Sequence, residues 1–212
     1  MKVLITGFEA YWDYPENSSW VVAEKVATRG VIGVDIAIEQ MPVSFSHVGM
    51  ALCKVVEKHS PDMIIMLGQS GGSDRVKLER VALNMMDSKR SDNDGYIANE
   101  APINLGTPSA LFTNTPIKTL CATIEELGIS VKISNSCGLY VCNRLYYEAL
   151  MLCNERHMRA IFVHLPFYEG QPSAKPNKPT MPLDDMVKAI QIIISEVYDE
   201  NRKNQKTTGV RL

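Results

Sequence analysis

An α/β fold is what this sequence predicts: one central, mostly parallel, twisted sheet with helices on both faces. Three observations point to it. Strand-like and helix-like patterns alternate along nearly the whole chain, as they do when helices cover a sheet from both sides. Residues 2–8 form a near-continuous apolar run, the kind buried on both faces of a parallel sheet. The chemically notable side chains fall at or just past predicted strand ends, where open α/β sheets build their sites. No repeat, low-complexity tract or shift of composition marks a second domain, so residues 1–212 read as one.

The elements follow in order. After the strand at residues 2–8, Ser18 or Ser19 is placed to cap a helix through about Thr28, since a short hydroxyl side chain satisfies the free N–H groups of a first turn. Residues 34–43 are rich in Val and Ile and predict a second strand. The segment Ser44-Phe-Ser-His-Val opens an amphipathic helix to about His59. Residues 62–67 predict a third strand, ending in Gly68-Gln69-Ser70-Gly71-Gly72. Residues 76–86 read as a strand or strand pair. Residues 87–115 are dense in Asn, Gly, Pro and Asp and read as a long functional loop with some local structure. A helix is expected from Pro116 to about Leu127, with Gly128 as its C-cap. Residues 131–136 predict a strand, residues 141–150 a helix, and residues 159–164 the final strand. A loop rich in Pro and Lys spans residues 170–182. The last helix is expected from Asp184 to about Glu200, with a frayed polar tail after Arg202.

Composition removes several function classes. Hydrophobic residues make up 45% and charged residues 22% of the 212, ordinary for a globular protein. A net charge of −2 makes no electrostatic case for nucleic acid or an anionic membrane. No apolar run approaches a membrane span, and the N-terminus runs straight into a strand with no room for a signal peptide. Five cysteines without a C-x-x-C pair argue against a disulfide framework or a cysteine-rich zinc site, and for the reducing cytoplasm. No pair of histidines has metal-ligand spacing; His47, His59 and His157 read as surface residues. No cofactor is called for.

Three residues carry the chemistry. Cys142 sits where a strand gives way to a helix, so its thiol is expected in a first turn, where free N–H groups and the helix dipole favour the thiolate. Its plainer role is packing, because free cysteine usually behaves as a small buried hydrophobe. Cys53, Cys121 and Cys153 lie mid-helix among apolar neighbours and are read that way. Cys137, also near a strand end, is the rival nucleophile. His164 ends an apolar strand and is equally at home as a satisfied core residue; within reach of Cys142 it becomes a general base and acid. Glu79, in Val76-Lys-Leu-Glu-Arg-Val-Ala-Leu83, either faces solvent or orients the imidazole. Gly68–Gly72 hints weakly at a phosphate cradle, without the Lys-Ser/Thr of a P-loop.

Taken together, four segments resemble the pyroglutamyl-peptidase I family of cysteine peptidases over nearly the whole chain. They are Leu4-Ile-Thr-Gly-Phe-Glu9 followed by Asn17-Ser-Ser-Trp20; Leu67-Gly-Gln-Ser-Gly-Gly72 leading to Glu79-Arg-Val-Ala-Leu-Asn84; Gly138-Leu-Tyr-Val-Cys-Asn143; and Phe162-Val-His-Leu-Pro-Phe167. The resemblance implies a homotetrameric cysteine exopeptidase that hydrolyses the amide after an N-terminal pyroglutamate, through a thioester, with no cofactor. It implies catalytic roles for Glu79, Cys142 and His164, and a lactam pocket around Phe8, Tyr11, Gln69, Tyr140 and Val141. The family's oxyanion arginine falls at Lys89, with Arg90 beside it. The segment Ala10-Tyr11-Trp12-Asp13 departs from the family's Pro-Phe-Gly-Gly. A cysteine amidase for another small cyclic or acylated amide, or an inactive binding relative, are the rival readings.

Overall fold

The structure, a computed structural model, describes residues 1–156, 158–172 and 177–208, with side chains omitted for 204–208. His157 lies outside the described residues. Ten strands and five helices are described: β1 Lys2–Phe8, α1 Ser18–Arg29, β2 Asp35–Met41, α2 Val48–His59, β3 Met63–Gln69, β4 Val76–Glu79, β5 Val81–Leu83, β6 Ala110–Phe112, α3 Ile117–Glu126, β7 Val131–Ser134, α4 Val141–Arg156, β8 Arg159–Leu165, β9 Phe167–Tyr168, β10 Thr180–Met181 and α5 Leu183–Thr208.

The main sheet has the order β2-β1-β3-β8-β4-β7. Strands β2, β1, β3 and β8 run parallel. Strand β4 enters reversed beside β8, and β7 runs parallel to β4. The expected α/β class is therefore observed, with the reversal as the one antiparallel seam. The strands are apolar on both faces because both faces are covered: Val3 and Ile5 of β1 face the layer of α1, α3 and α5, while Leu4 and Phe8 face the layer of α2 and α4. All of β3 is buried. Each fully buried Val, Leu or Ile contributes roughly 1.5–3 kcal/mol over leaving it exposed. The helices supply matching stripes, Val48, Leu52 and Val56 on α2 and Ile117, Leu120 and Ile124 on α3, at the three- and four-residue spacing of one helix face.

Several expected boundaries are corrected. The cap of α1 is Asn17, not Ser18 or Ser19: its Oδ1 accepts from the N–H and hydroxyl of Ser19 at 3.1 and 2.7 Å. Ser19 Oγ in turn accepts from Phe8 N at 3.0 Å, tying the end of β1 to the helix that follows. The run at 76–86 splits at Arg80 into β4, in the main sheet, and β5, which pairs with β6; β6 lies inside the segment expected to be loop. Gly128 (φ 79°) is the residue after the C-cap of α3, which is Leu127. Strand β8 is not the last, since β9 and β10 pair beyond it. The polar tail continues as helix to Thr208. No described helix is long and apolar enough to cross a membrane.

Candidate active site

The strand ends of β1, β3 and β8 open on one edge of the sheet, and register decides what meets there. Gly68 of β3 and Lys77 of β4 flank His164. A Cβ at Gly68 would lie 2.8 Å from the Phe162 ring and 3.1 Å from His164 Cδ2, so the bare backbone there makes room for the imidazole. Because β4 is reversed, Glu79 pairs with Phe162, two residues deeper in the sheet than His164. Its carboxylate is fully buried and faces the imidazole rather than solvent: Oε1 stands 2.9 Å from His164 Nδ1. A proton held on Nδ1 by that carboxylate leaves Nε2 free towards the pocket.

Cys142 is the second residue of α4. Gly138, at φ 81°, turns the chain out of the strand that precedes it. The carbonyl of Tyr140 accepts from Asn143 N and Arg144 N at 3.0 and 3.3 Å; the N–H groups of Val141 and Cys142 have no backbone acceptor among the described residues, and that of Cys142 bonds its own thiol. Asn143, nearly fully buried, clamps this first turn in place: its side chain donates to the carbonyls of Leu83 and Met85 at 2.8 and 2.9 Å and accepts from Leu83 N at 2.9 Å.

Two influences on the Cys142 thiol, the helix end and its burial, oppose each other. Burial pushes the Cys142 thiol up to about 12, the Glu79 charge adds to this, and the backbone N–H of Cys142 opposes it. Desolvation outweighs the helix-end field here because the charged sulfur would lose its water while gaining only one close donor. No hydrogen bond joins Cys142 to His164 among the described residues; both line one pocket. The rival, Cys137, also lines it, but its thiol is buried, raised further by burial, and donates to Asn143 Oδ1 at 3.8 Å. Of the cysteines read as packing residues, Cys153 is buried, Cys121 half-buried and Cys53 exposed. His47 is exposed as expected, while His59 is half-buried beside Glu39 at 2.7 Å.

The pocket holds about 440 Å³. Phe8, Tyr11, Gln69, Tyr140 and Val141 all line it, and so do Lys89 and Arg90. Tyr11 and Trp12 pack with ring centres 4.8 Å apart, and Trp12 and Tyr140 with 5.6 Å. The Trp12 indole and the Tyr140 hydroxyl both donate to Ser91 O, at 3.0 and 2.9 Å. Burial pushes the Tyr140 phenol up to about 12. Arg90 lies 4.5 Å over the Trp12 ring, a cation–π contact; Lys89 and Arg90 are both exposed and both line the pocket. Neither side chain has an acidic partner among the described residues.

Tyr14 is a pocket residue that the sequence did not single out. It packs 5.4 Å from Tyr11. The Gly68–Gly72 turn leads into β4 rather than a helix, so it lacks the helix N-terminus that makes a phosphate cradle; instead Ser70 Oγ accepts from Lys77 Nζ at 2.8 Å. No group of three or more potential metal ligands is found among the described residues.

The family model described as pyroglutamyl peptidase matches residues 1–200. A pyrrolidone-carboxylate peptidase of Thermococcus kodakarensis is 38% identical over 202 residues, covering 94% of this chain and 97% of that protein. The crystal structure of Bacillus amyloliquefaciens pyroglutamyl peptidase I superposes with a TM-score of 0.85 at 32% identity, covering 91% of this chain and 94% of that one. The pyrrolidone carboxyl peptidase of Thermococcus litoralis gives 0.91 at 28% identity, with 96% of each chain covered.

Proposed function

Because the chain belongs to the pyroglutamyl peptidase family and is a cysteine peptidase of the pyroglutamyl-peptidase I type, we propose that Cys142 is its nucleophile, with His164 as general base and acid and Glu79 orienting the imidazole. The observation that carries this reading is the Glu79–His164 contact of 2.9 Å directly behind a pocket that Cys142 lines. The family supports hydrolysis of pyroglutamyl peptides, and the pocket's chemistry agrees. Its walls are largely aromatic and apolar, and no Asp or Glu lines it. A free α-ammonium group would find no counter-ion there, whereas a neutral lactam fits a small apolar pocket with a few polar groups.

The steps follow from the groups present. The Cys142 thiol gives its proton to His164 Nε2 as sulfur bonds to the carbonyl carbon joining pyroglutamate to the next residue. The oxygen of the tetrahedral adduct takes its negative charge between the backbone N–H groups of Cys142 and Val141. Collapse breaks the C–N bond, and the proton on His164 passes to the departing amine. Water then loses a proton to His164 and attacks the thioester; the C–S bond breaks, releasing pyroglutamate and restoring the thiol. A neutral resting thiol suits this sequence, since His164 removes the proton during attack.

We also read residues 1–212 as one self-associating cytoplasmic domain. Five unpaired cysteines and the exposed side chains of Leu105, Phe112 and Leu127 support that; sedimentation at micromolar concentration measures the association. The decisive assay is cleavage of a fluorogenic pyroglutamyl amide by wild type and Cys142→Ser. Wild type should cleave, iodoacetamide should abolish cleavage, and the folded variant should be inert. Cleavage by Cys142→Ser at more than a few per cent of wild type would remove Cys142 from the nucleophile role.

A further inference from the structure

Behind the pocket wall runs a chain of hydrogen bonds whose direction is set by the backbone. The N–H of Tyr168 donates to Gln171 Oε1 at 3.2 Å. Gln171 Nε2 donates to Gln69 Oε1 at 2.7 Å and reaches the carbonyl of Glu16 at 3.5 Å. Gln69 Oε1 also accepts from the N–H of Ser18 at 2.9 Å, and Gln69 Nε2 donates to Tyr11 Oη at 3.4 Å. Both glutamines are buried.

An amide side chain by itself can turn over and exchange its oxygen for its nitrogen. Here neither can. Turning Gln171 would set its NH₂ against the Tyr168 N–H, and turning Gln69 would set its NH₂ against the Ser18 N–H. Two backbone donors therefore fix the polarity of the whole series. Its end presents two hydrogen donors to the pocket. One is the second N–H of Gln69. The other is the Tyr11 hydroxyl, which accepts from Gln69 and so has its own hydrogen to give; burial raises the Tyr11 phenol and keeps that hydrogen on it.

We infer that Gln171 is a positioning residue for substrate recognition: it holds Gln69 with its NH₂ towards the pocket, so that this wall reads the ring carbonyl of the lactam and not its ring N–H. The inference rests on the proposed pyroglutamyl specificity and says which half of the lactam this wall recognises. Gln171 does not line the pocket itself; it acts through Gln69.

Gln171→Met keeps the length of the side chain and removes both the donor and the acceptor. Gln171→Glu keeps the acceptor and, as a carboxylate, loses the donor. Both should raise KM for a pyroglutamyl amide about tenfold while kcat stays within about twofold, since one hydrogen bond used in binding is lost or misdirected. A role confined to folding would lower the melting temperature and leave KM unmoved in the folded fraction. Competition on the wild type needs no variant. Cyclopentanone has the ring carbonyl without a ring N–H, and should compete within about tenfold of 2-pyrrolidone. If 2-pyrrolidone competes and cyclopentanone does not, the wall reads the ring N–H and the inference is overturned. Unchanged KM in both folded variants overturns it as well. A wild type that fails to cleave pyroglutamyl amides is a different outcome, and sinks the functional reading on which this one rests.

Discussion

Glu79 meets His164 through one oxygen only: Oε1 lies 2.9 Å from Nδ1, while Oε2 is buried with no hydrogen-bond partner among the described residues. A carboxylate left half-satisfied in the core is a poor source of stability. Its retention makes sense if the charge serves the imidazole. Glu79→Gln should therefore lower kcat by about 10²–10⁴-fold, as expected when an imidazolium loses its buried counter-charge. The melting temperature should fall by no more than about 2 °C, or rise, because the variant removes an uncompensated charge. A loss of activity smaller than tenfold would take Glu79 out of the mechanism.

The neutral thiol of Cys142 has a pH signature. Its ionisation is displaced upward to about 12, so the proton stays on through the neutral range and the thiolate fraction grows as pH rises. Labelling of the peptide containing Cys142 by iodoacetamide, followed by mass spectrometry, should accelerate about tenfold per pH unit through pH 10. An unshifted thiol would level off near 9. A plateau below pH 8 would mean that the resting site holds a thiolate after all.

Arg90 stacks on Trp12 within the pocket lining, which separates two roles. As part of the wall, Arg90→Ala should raise KM several-fold with kcat nearly unchanged. As the oxyanion partner it would lower kcat by about 10²-fold or more when removed. The geometry favours the first result, and steady-state kinetics on Arg90→Ala beside Lys89→Ala measures it.

Asn143 bonds three backbone groups of the segment around β5 and so fixes the turn that carries Cys142. Truncation to alanine strands those groups in the core, at about 1–3 kcal/mol for each unsatisfied one. Asn143→Ala should lower the melting temperature by at least about 6 °C on the scale of about 2–4 °C per kcal/mol for a chain of this size. Catalysis should fall even at temperatures where the variant is folded. Unchanged melting would show that the turn is held by other contacts.

How much of this was legible beforehand depended on the kind of signal. The apolar run of β1 and the stripes of α2 and α3 announce themselves, because burial on one or two faces leaves a period in the sequence. Strand direction leaves none, so the reversal of β4 that sets Glu79 beneath His164 was out of reach. Ser18, Ser19 and Asn17 are all competent caps, and only the geometry of Phe8 against Ser19 selects Asn17. The helix end beside Cys142 can be read locally, whereas the desolvation that opposes it is built by residues far away in the chain. Gln171 sits in a loop rich in Pro and Lys, where nothing periodic singles it out; its importance exists only once Gln69 and the N–H of Tyr168 are beside it.

Gln171 reaches back to the carbonyl of Glu16, 155 residues earlier. During synthesis on the ribosome the N-terminal rim of the pocket emerges long before the amide that pins its polar side. Contacts of such long sequence separation close slowly, so this side of the pocket is pinned late in folding.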